Sequence, residues 1–230
     1  MRARRQRQLY VQRVCGTMSA VIVAIDGPAG AGKSTVARRL AERLGFRYLD
    51  TGAMYRALTW LALEHGIDLD DAKALGALAR ANPISFDDGQ RVVIDGRDVS
   101  SEIREPRIDR VVSSVARHGA VREVMRGRQR ELGEVGDVVI EGRDIGTVVA
   151  PGADVKVYLV ADENERARRR VAERPGLAPD ALVTDLRSRD ERDAAQMRPA
   201  DDAAEIDTTH LSIDDVVTRI EGLVRAKQPA

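Results

Sequence analysis

The chain has 230 residues, enough for one α/β domain with a substantial core and a small inserted lobe, and its 37 basic residues balance 37 acidic ones. Five arginines (Arg2, Arg4, Arg5, Arg7 and Arg13) fall in the first seventeen positions, which hold no acid, so the body carries 32 basic against 37 acidic residues. That balance excludes the basic domain face expected of a nucleic-acid binder, and no run reaches the ~18 apolar residues of a membrane helix or the apolar core of a secretory signal.

Residues 1–17 read as a basic leader outside the fold, with Met18 as a candidate start and 18–230 as one domain. Cys15, the sole cysteine, has no intramolecular partner, which fits a reducing, cytoplasmic setting. No heptad or large apolar stripe calls for a second chain, so a monomer is expected.

The first element is the apolar run Val21-Ile22-Val23-Ala24-Ile25, a buried strand that ends at Asp26. Directly after it stands Gly27-Pro28-Ala29-Gly30-Ala31-Gly32-Lys33-Ser34-Thr35, in which Gly27, Gly32, Lys33 and Ser34 satisfy G-x-x-x-x-G-K-[ST]. In such a strand–loop–helix setting backbone N–H groups surround a polyphosphate, the lysine meets the β- and γ-phosphates, and the hydroxyl ligates Mg²⁺. A helix follows over Lys33–Leu44 and stops at Gly45; a strand at 46–49 leads into a second helix over Gly52–Glu64. There Arg56 lies about one turn in, where helix start and guanidinium can both hold an anionic acceptor. Residues 83–104, with Pro83, the turn Asp87-Asp88-Gly89, the run Val92-Val93-Ile94 and Asp95-Gly96, read as a small β excursion on the substrate side. A helix over Arg122–Leu132 and strands at 138–140, 155–160 and, more weakly, 204–207 restore the alternation.

This βα order predicts a parallel sheet wrapped by helices, with ligand groups at the carboxyl ends of its strands. Asp26, Asp50 and the Glu141–Asp144 group fall at those ends. Residues 162–198 are densely charged, with Arg166, Arg168, Arg169 and Arg170 within five positions; an arm over the phosphates and a solvated helical face are both open readings. His65, His118 and His210 show no metal-ligand spacing and read as surface or capping residues, and Trp60 reads as core. The loop identifies the phosphoryl donor, not the acceptor. The Asn-Lys-x-Asp element of guanine-reading switch proteins is absent, so a small-molecule kinase is favoured over a nucleotide-binding switch. Shikimate, dephospho-coenzyme A or another nucleotide are rival acceptors.

Four segments resemble the bacterial cytidylate kinases: Asp26–Thr35; Leu49-Asp50-Thr51-Gly52-Ala53-Met54-Tyr55-Arg56; Asp98-Val99-Ser100-Ser101-Glu102-Ile103-Arg104; and Glu141-Gly142-Arg143-Asp144-Ile145-Gly146-Thr147-Val148-Val149. The resemblance runs from about Ser19 through Asp207–Ile213. It implies an α/β fold of the P-loop NTPase type, a parallel sheet flanked by helices, with a small inserted NMP-binding lobe at about 80–110 and a helical lid at about 162–190. It implies transfer of the γ-phosphoryl group of ATP to CMP or dCMP with Mg²⁺ as cofactor. Its partners are then small molecules, with no nucleic acid and no membrane.

Residue by residue, the resemblance places Ser113, Arg122 and Asp144 around the cytosine ring, Thr51, Arg189 and Asp193 near the sugar, and Arg56 and Arg143 on the acceptor phosphate. Gly27, Pro28, Ala29, Gly30, Ala31, Gly32, Lys33, Ser34 and Thr35 would surround ATP, with Ser34 on the metal. Lys33, Arg56 and Arg143 would position the phosphates, and Arg166, Arg169 or Arg170 would close over the transferred group. A carboxylate at 144 suits the N4 amino donor of cytosine and opposes the O4 acceptor of uracil. One departure stands out: three residues beyond Asp193, where much of the family has another acceptor-phosphate arginine, this chain has Gln196, with Arg198 the nearest substitute.

Overall fold

The computed structural model describes residues 20–87, 90–173, 179–194 and 197–227. The leader, Asp88-Gly89, Pro175-Gly176 and Gln196 lie outside the described residues, as does the side chain of Arg189. In chain order the elements are β1 (Ile22–Asp26), α1 (Lys33–Leu44), β2 (Arg47–Asp50), α2 (Thr51–Glu64), α3 (Ala72–Ala81), β3 (Ser85–Phe86), β4 (Val92–Ile94), β5 (Arg97–Asp98), a 3₁₀ turn (Glu102–Arg104), α4 (Pro106–Ala116) and α5 (Gly119–Gly133). There follow β6 (Val138–Glu141), a π turn (Ile145–Val149), β7 (Val155–Val160), α6 (Glu163–Glu173), α7 (Pro179–Asp193), β8 (Ala204–Asp207) and α8 (Ile213–Lys227).

Five strands form one parallel sheet in the order β2-β6-β1-β7-β8. Helices cover both faces, which is why the strands read as unbroken apolar runs instead of alternating ones. The chain goes outward from β1 to β2, returns through β6 and then crosses to β7. Ligand sites gather at such a reversal, beyond the carboxyl ends of the strands; Asp26, Asp50 and Glu141 end β1, β2 and β6 there. On one face α1 buries Val36, Ala37, Leu40 and Ala41 against Val216, Val217, Ile220 and Val224 of α8. It stops as expected at Gly45, φ +70°, where the Phe46 N–H reaches back to the Ala41 carbonyl at 2.9 Å and closes the last turn.

A second core surrounds α2, which is buried on almost every side. Met54, Leu58, Trp60 and Leu61 pack with Leu75 of α3, Ile94 of β4, Ile103 and Ile108 before and within α4, and Val121 and Met125 of α5. The three-stranded antiparallel sheet β3-β4-β5 hangs on this second core. The β excursion is thus present, but it is framed by α3 and α4, which periodicity had not marked. Gly76 interrupts the helical pattern of α3, and α4 opens on Pro106 directly after a polar stretch. The helix read from Arg122 begins three residues earlier, at Gly119. His118 is half-buried at that start, and its Nε2 meets the Leu69 carbonyl at 2.8 Å, so it ties a loop to α5 instead of capping the helix. No helix among the described residues is long and apolar enough to cross a membrane.

Candidate active site

The loop after β1 leaves the sheet at Gly27, φ +143°, where a Cβ would lie 2.1 Å from the Leu159 carbonyl oxygen. Only glycine lets the loop press so close to β7. Ala29, Gly30, Gly32, Lys33, Ser34 and Thr35 then line a cavity, while Gly27, Pro28 and the fully buried Ala31 do not. The Lys33 ammonium is drawn over the loop, donating to the Pro28 carbonyl at 2.7 Å.

Ser34 Oγ donates to Glu141 Oε2 at 2.9 Å, and the Tyr48 hydroxyl donates to Oε1 of the same carboxylate. Burial, reinforced by the neighbouring Asp50 carboxylate, pushes the Glu141 carboxyl up to about 7. Asp26 accepts the N–H groups of Ile145 at 2.9 Å and Gly146 at 2.8 Å, which fixes the start of the π turn; burial nonetheless raises its carboxyl above the ordinary range. Among the described residues no three His, Cys, Asp or Glu side chains form a metal cage. The adjoining Ser34 hydroxyl and Glu141 carboxylate are hard oxygen donors, a set that suits Mg²⁺ bound mainly through water and substrate phosphates.

The opposite wall is built from side chains. Asp50 caps α2 by accepting the Ala53 N–H at 2.8 Å and is itself paired with Arg104 at 2.8 Å. Thr51 Oγ1 donates to the Glu141 carbonyl at 2.6 Å. One turn into α2, Arg56 lines the cavity and donates to Asp109 Oδ1 through Nη2 at 2.8 Å and Nε at 3.2 Å. Burial lowers its pKa, opposed by the Asp50 carboxylate.

Ser113, Arg122, Arg143, Asp144 and Asp193 line the same cavity. Arg143 donates to the Gly27 carbonyl at 2.7 Å and pairs with Asp193 at 3.2 Å, so it spans the loop and the end of α7. Arg122 at 2.6 Å and Arg126 at 3.1 Å both donate to Oδ2 of Asp144. Its Oδ1 has no protein partner among the described residues.

The charge run in α6 divides between solvent and interior. Arg168 has a side chain 75% exposed and pairs with Glu165 on the solvated face, whereas Arg166, Arg169 and Arg170 are 13%, 23% and 14% exposed. Of these three only Arg170 lines the cavity. Arg166 donates to the Ala29 carbonyl at 3.1 Å and pairs with Asp190. Gly30, φ +78°, is so close to it that an added Cβ would sit 3.0 Å from Arg166 Cβ. Arg169 donates to Thr208 Oγ1 at 3.0 Å, to the Thr208 carbonyl at 2.7 Å and to Glu165 at 2.8 Å. These two arginines therefore hold α6 against the loop and the residue after β8, and neither lines the cavity. Arg198 is exposed and does not line it.

Sequence reasoning overlooked Arg126, Gln129 and Asp109. The first two had a signal: Arg122, Arg126 and Gln129 stand at i, i+4 and i+7 and share one face of α5. Gln129 is 1% exposed and lines the cavity. Asp109, inside a helix that itself escaped notice, had none.

The family model for cytidylate kinase matches residues 23–226. The chain is 50% identical over 209 residues to the cytidylate kinase of Bacillus pumilus (strain SAFR-032), covering 86% of this chain and 93% of that one. It is likewise 50% identical over 218 residues to the cytidylate kinase of Geobacillus kaustophilus (strain HTA426), covering 90% and 97%. Among solved structures it is similar to a gluconokinase from Sinorhizobium meliloti 1021, with a TM-score of 0.50 at 16% identity, covering 90% of this chain and 94% of that one. An uncharacterized protein from Eubacterium ventriosum ATCC 27560 matches with a TM-score of 0.51 at 13% identity, covering 90% and 99%. At such identities the structural likeness bears on fold alone.

Proposed function

The chain belongs to the cytidylate kinase family and transfers the γ-phosphoryl group of ATP to CMP or dCMP, and on that premise we propose how its residues divide the work. ATP lies with its phosphates on the loop amides of 29–35, and Lys33 swings from the Pro28 carbonyl onto the β- and γ-phosphates. Ser34, backed by Glu141, would hold Mg²⁺, which would supply charge neutralisation for the phosphates. CMP enters from the opposite wall, with its phosphate between Arg56 and Arg143, its sugar beside Thr51, Asp193 and Arg189, and its base beside Ser113, Arg122 and Asp144.

An acceptor phosphate oxygen is already nucleophilic, so no general base is needed. It attacks the γ-phosphorus in line, the bond to the β,γ-bridging oxygen breaks, and ADP leaves. Catalysis is then positioning and charge neutralisation. Arg170 is the arginine of α6 that reaches the transferred group. The segment about 80–110 serves as the acceptor lobe and about 162–190 as the lid, which excludes water and so spares ATP from hydrolysis. One copy of the chain supplies both walls, so the working unit is a monomer, and the reaction belongs to the cytoplasm.

The observation that carries this reading is Asp144. Two arginines fix its carboxylate through Oδ2, and Oδ1 is left for an amine on the bound base. An acceptor lacking that amine leaves the carboxylate facing another acceptor, a mismatch that separates ligands by up to ~10⁴-fold. The test is a panel of CMP, dCMP, UMP, AMP and shikimate with ATP consumption followed. CMP and dCMP should be turned over far faster than the others. Preference for UMP or shikimate, or ATP hydrolysis with no phosphorylated acceptor, would overturn it.

A further inference from the structure

Asp109 projects from α4, one turn before Ser113, and its side chain is only 2% exposed. It does not line the cavity, but the two arginines that grip it do. Arg56, from α2, donates to Oδ1 at 2.8 and 3.2 Å; Arg170, from α6, donates to Oδ2 at 2.9 Å. Two guanidinium groups brought together from distant parts of the chain repel each other, and Arg170 is among the charges that disfavour the protonated state of Arg56. A buried carboxylate behind both of them offsets that repulsion where water cannot. A guanidinium has five N–H donors. Arg56 gives two to Asp109 and keeps others for a phosphate on the cavity side, and Arg170 lines the same cavity.

We propose that Asp109 is a positioning residue for phosphoryl transfer: from behind the cavity wall it sets Arg56 of the acceptor wall and Arg170 of α6 side by side, so that both act on one set of phosphate oxygens. Because the carboxylate lies behind the arginines, it stays in place when the acceptor phosphate arrives. It also makes the seating of α6 depend on α4, the helix that carries Ser113 to the base. This rests on the acceptor-site reading above. A merely structural ion pair would behave differently: its loss would lower stability without singling out the transfer step.

The test uses the full chain in steady-state assays with ATP and CMP varied separately, comparing Asp109→Asn, Arg170→Met and the double variant, with thermal melting to confirm folding. Asp109→Asn should lower kcat by about 10- to 100-fold, the scale of misplacing a catalytic group by about an ångström, while the KM for ATP stays within about threefold. The double variant should fall short of the product of the two single losses by at least about tenfold, because Asp109 acts partly through Arg170. A kcat for Asp109→Asn within about twofold of the unaltered protein, or losses that multiply fully in the double variant, overturns the proposal. If Asp109→Asn does not fold, Asp109→Glu keeps the charge and moves it by one methylene. A kcat loss at an unchanged melting temperature then supports the proposal, and an unchanged kcat overturns it. Turnover of CMP by the unaltered protein in the same assay separates the two claims: without it, the acceptor reading itself has failed.

Discussion

The donor loop and the acceptor wall face each other across one cavity, yet the first is a single run of chain and the second is gathered from α2, α4, α5, the turn after β6, and the end of α7. The loop offers mainly backbone amides, which are uncharged and fixed by the turn from β1 into α1. The wall offers guanidinium groups held by carboxylates: Arg56 by Asp109, Arg122 by Asp144 and Arg143 by Asp193. A backbone site tolerates changes around it so long as the turn survives. A site of buried ion pairs does not, because removing one partner strands the other's charge at a cost of several kcal/mol.

The sharpest test of this contrast is Lys33→Ala, which removes the one long cation of the loop and leaves its amides. Transfer should drop by at least about 10²- to 10³-fold with little change in melting temperature, read by coupled assay and thermal denaturation. Near-normal turnover would show that the amides suffice. On the other wall, Arg170→Met should cost kcat about 10²-fold or more, whereas Arg169→Met should mainly reduce stability by about 1–2 kcal/mol through its lost bonds to Thr208. The reverse ranking would mean that α6 turns before it acts.

Asp144→Ala should collapse the ratio of kcat/KM for CMP over UMP by about 10- to 100-fold and also weaken CMP turnover, since Arg122 and Arg126 lose their shared partner. An unchanged ratio would remove Asp144 from base reading. The smallest expected effect lies on the border of the two regions. The Glu141 carboxyl is pushed up to about 7, against an ordinary value of 4.5. Between those values the folded chain holds a proton that the unfolded chain has released, so this group's contribution to stability falls as pH rises through that window. The melting temperature of the ligand-free protein should therefore decline from about pH 5 to about pH 8 relative to Glu141→Gln. Parallel profiles would show that Glu141 titrates normally.

The same contrast explains what could be read from the sequence. The loop, α1 with its Gly45 stop, and all five strands of the parallel sheet were visible, because each is a local pattern of apolar residues, glycines or a fixed motif. Arg56 was visible by its place one turn into a helix after a strand. Ser113 and Arg122 entered only through resemblance, since a serine and an arginine on helices carry no local mark of a shared cavity. Asp109 stayed hidden even so, because its meaning is the distance to Arg56 and Arg170, which no spacing along the chain encodes. The crowded arginines of α6 were legible as a group but not one by one. At successive positions of a helix they point about 100° apart, and only packing decides which of them meets the cavity.

Arg166 is fastened to the Ala29 carbonyl, and the helix behind it rests on Gly30. A helix is stiff over a single turn, so the base of α6 travels with the donor loop, and Arg170 can shift little on its own. Asp109 joins α4 to the same helix through Arg170, so the donor loop, α6 and α4 form one connected frame. ATP would encounter the same surface with or without the second nucleotide, and its affinity should be nearly indifferent to whether that nucleotide has arrived.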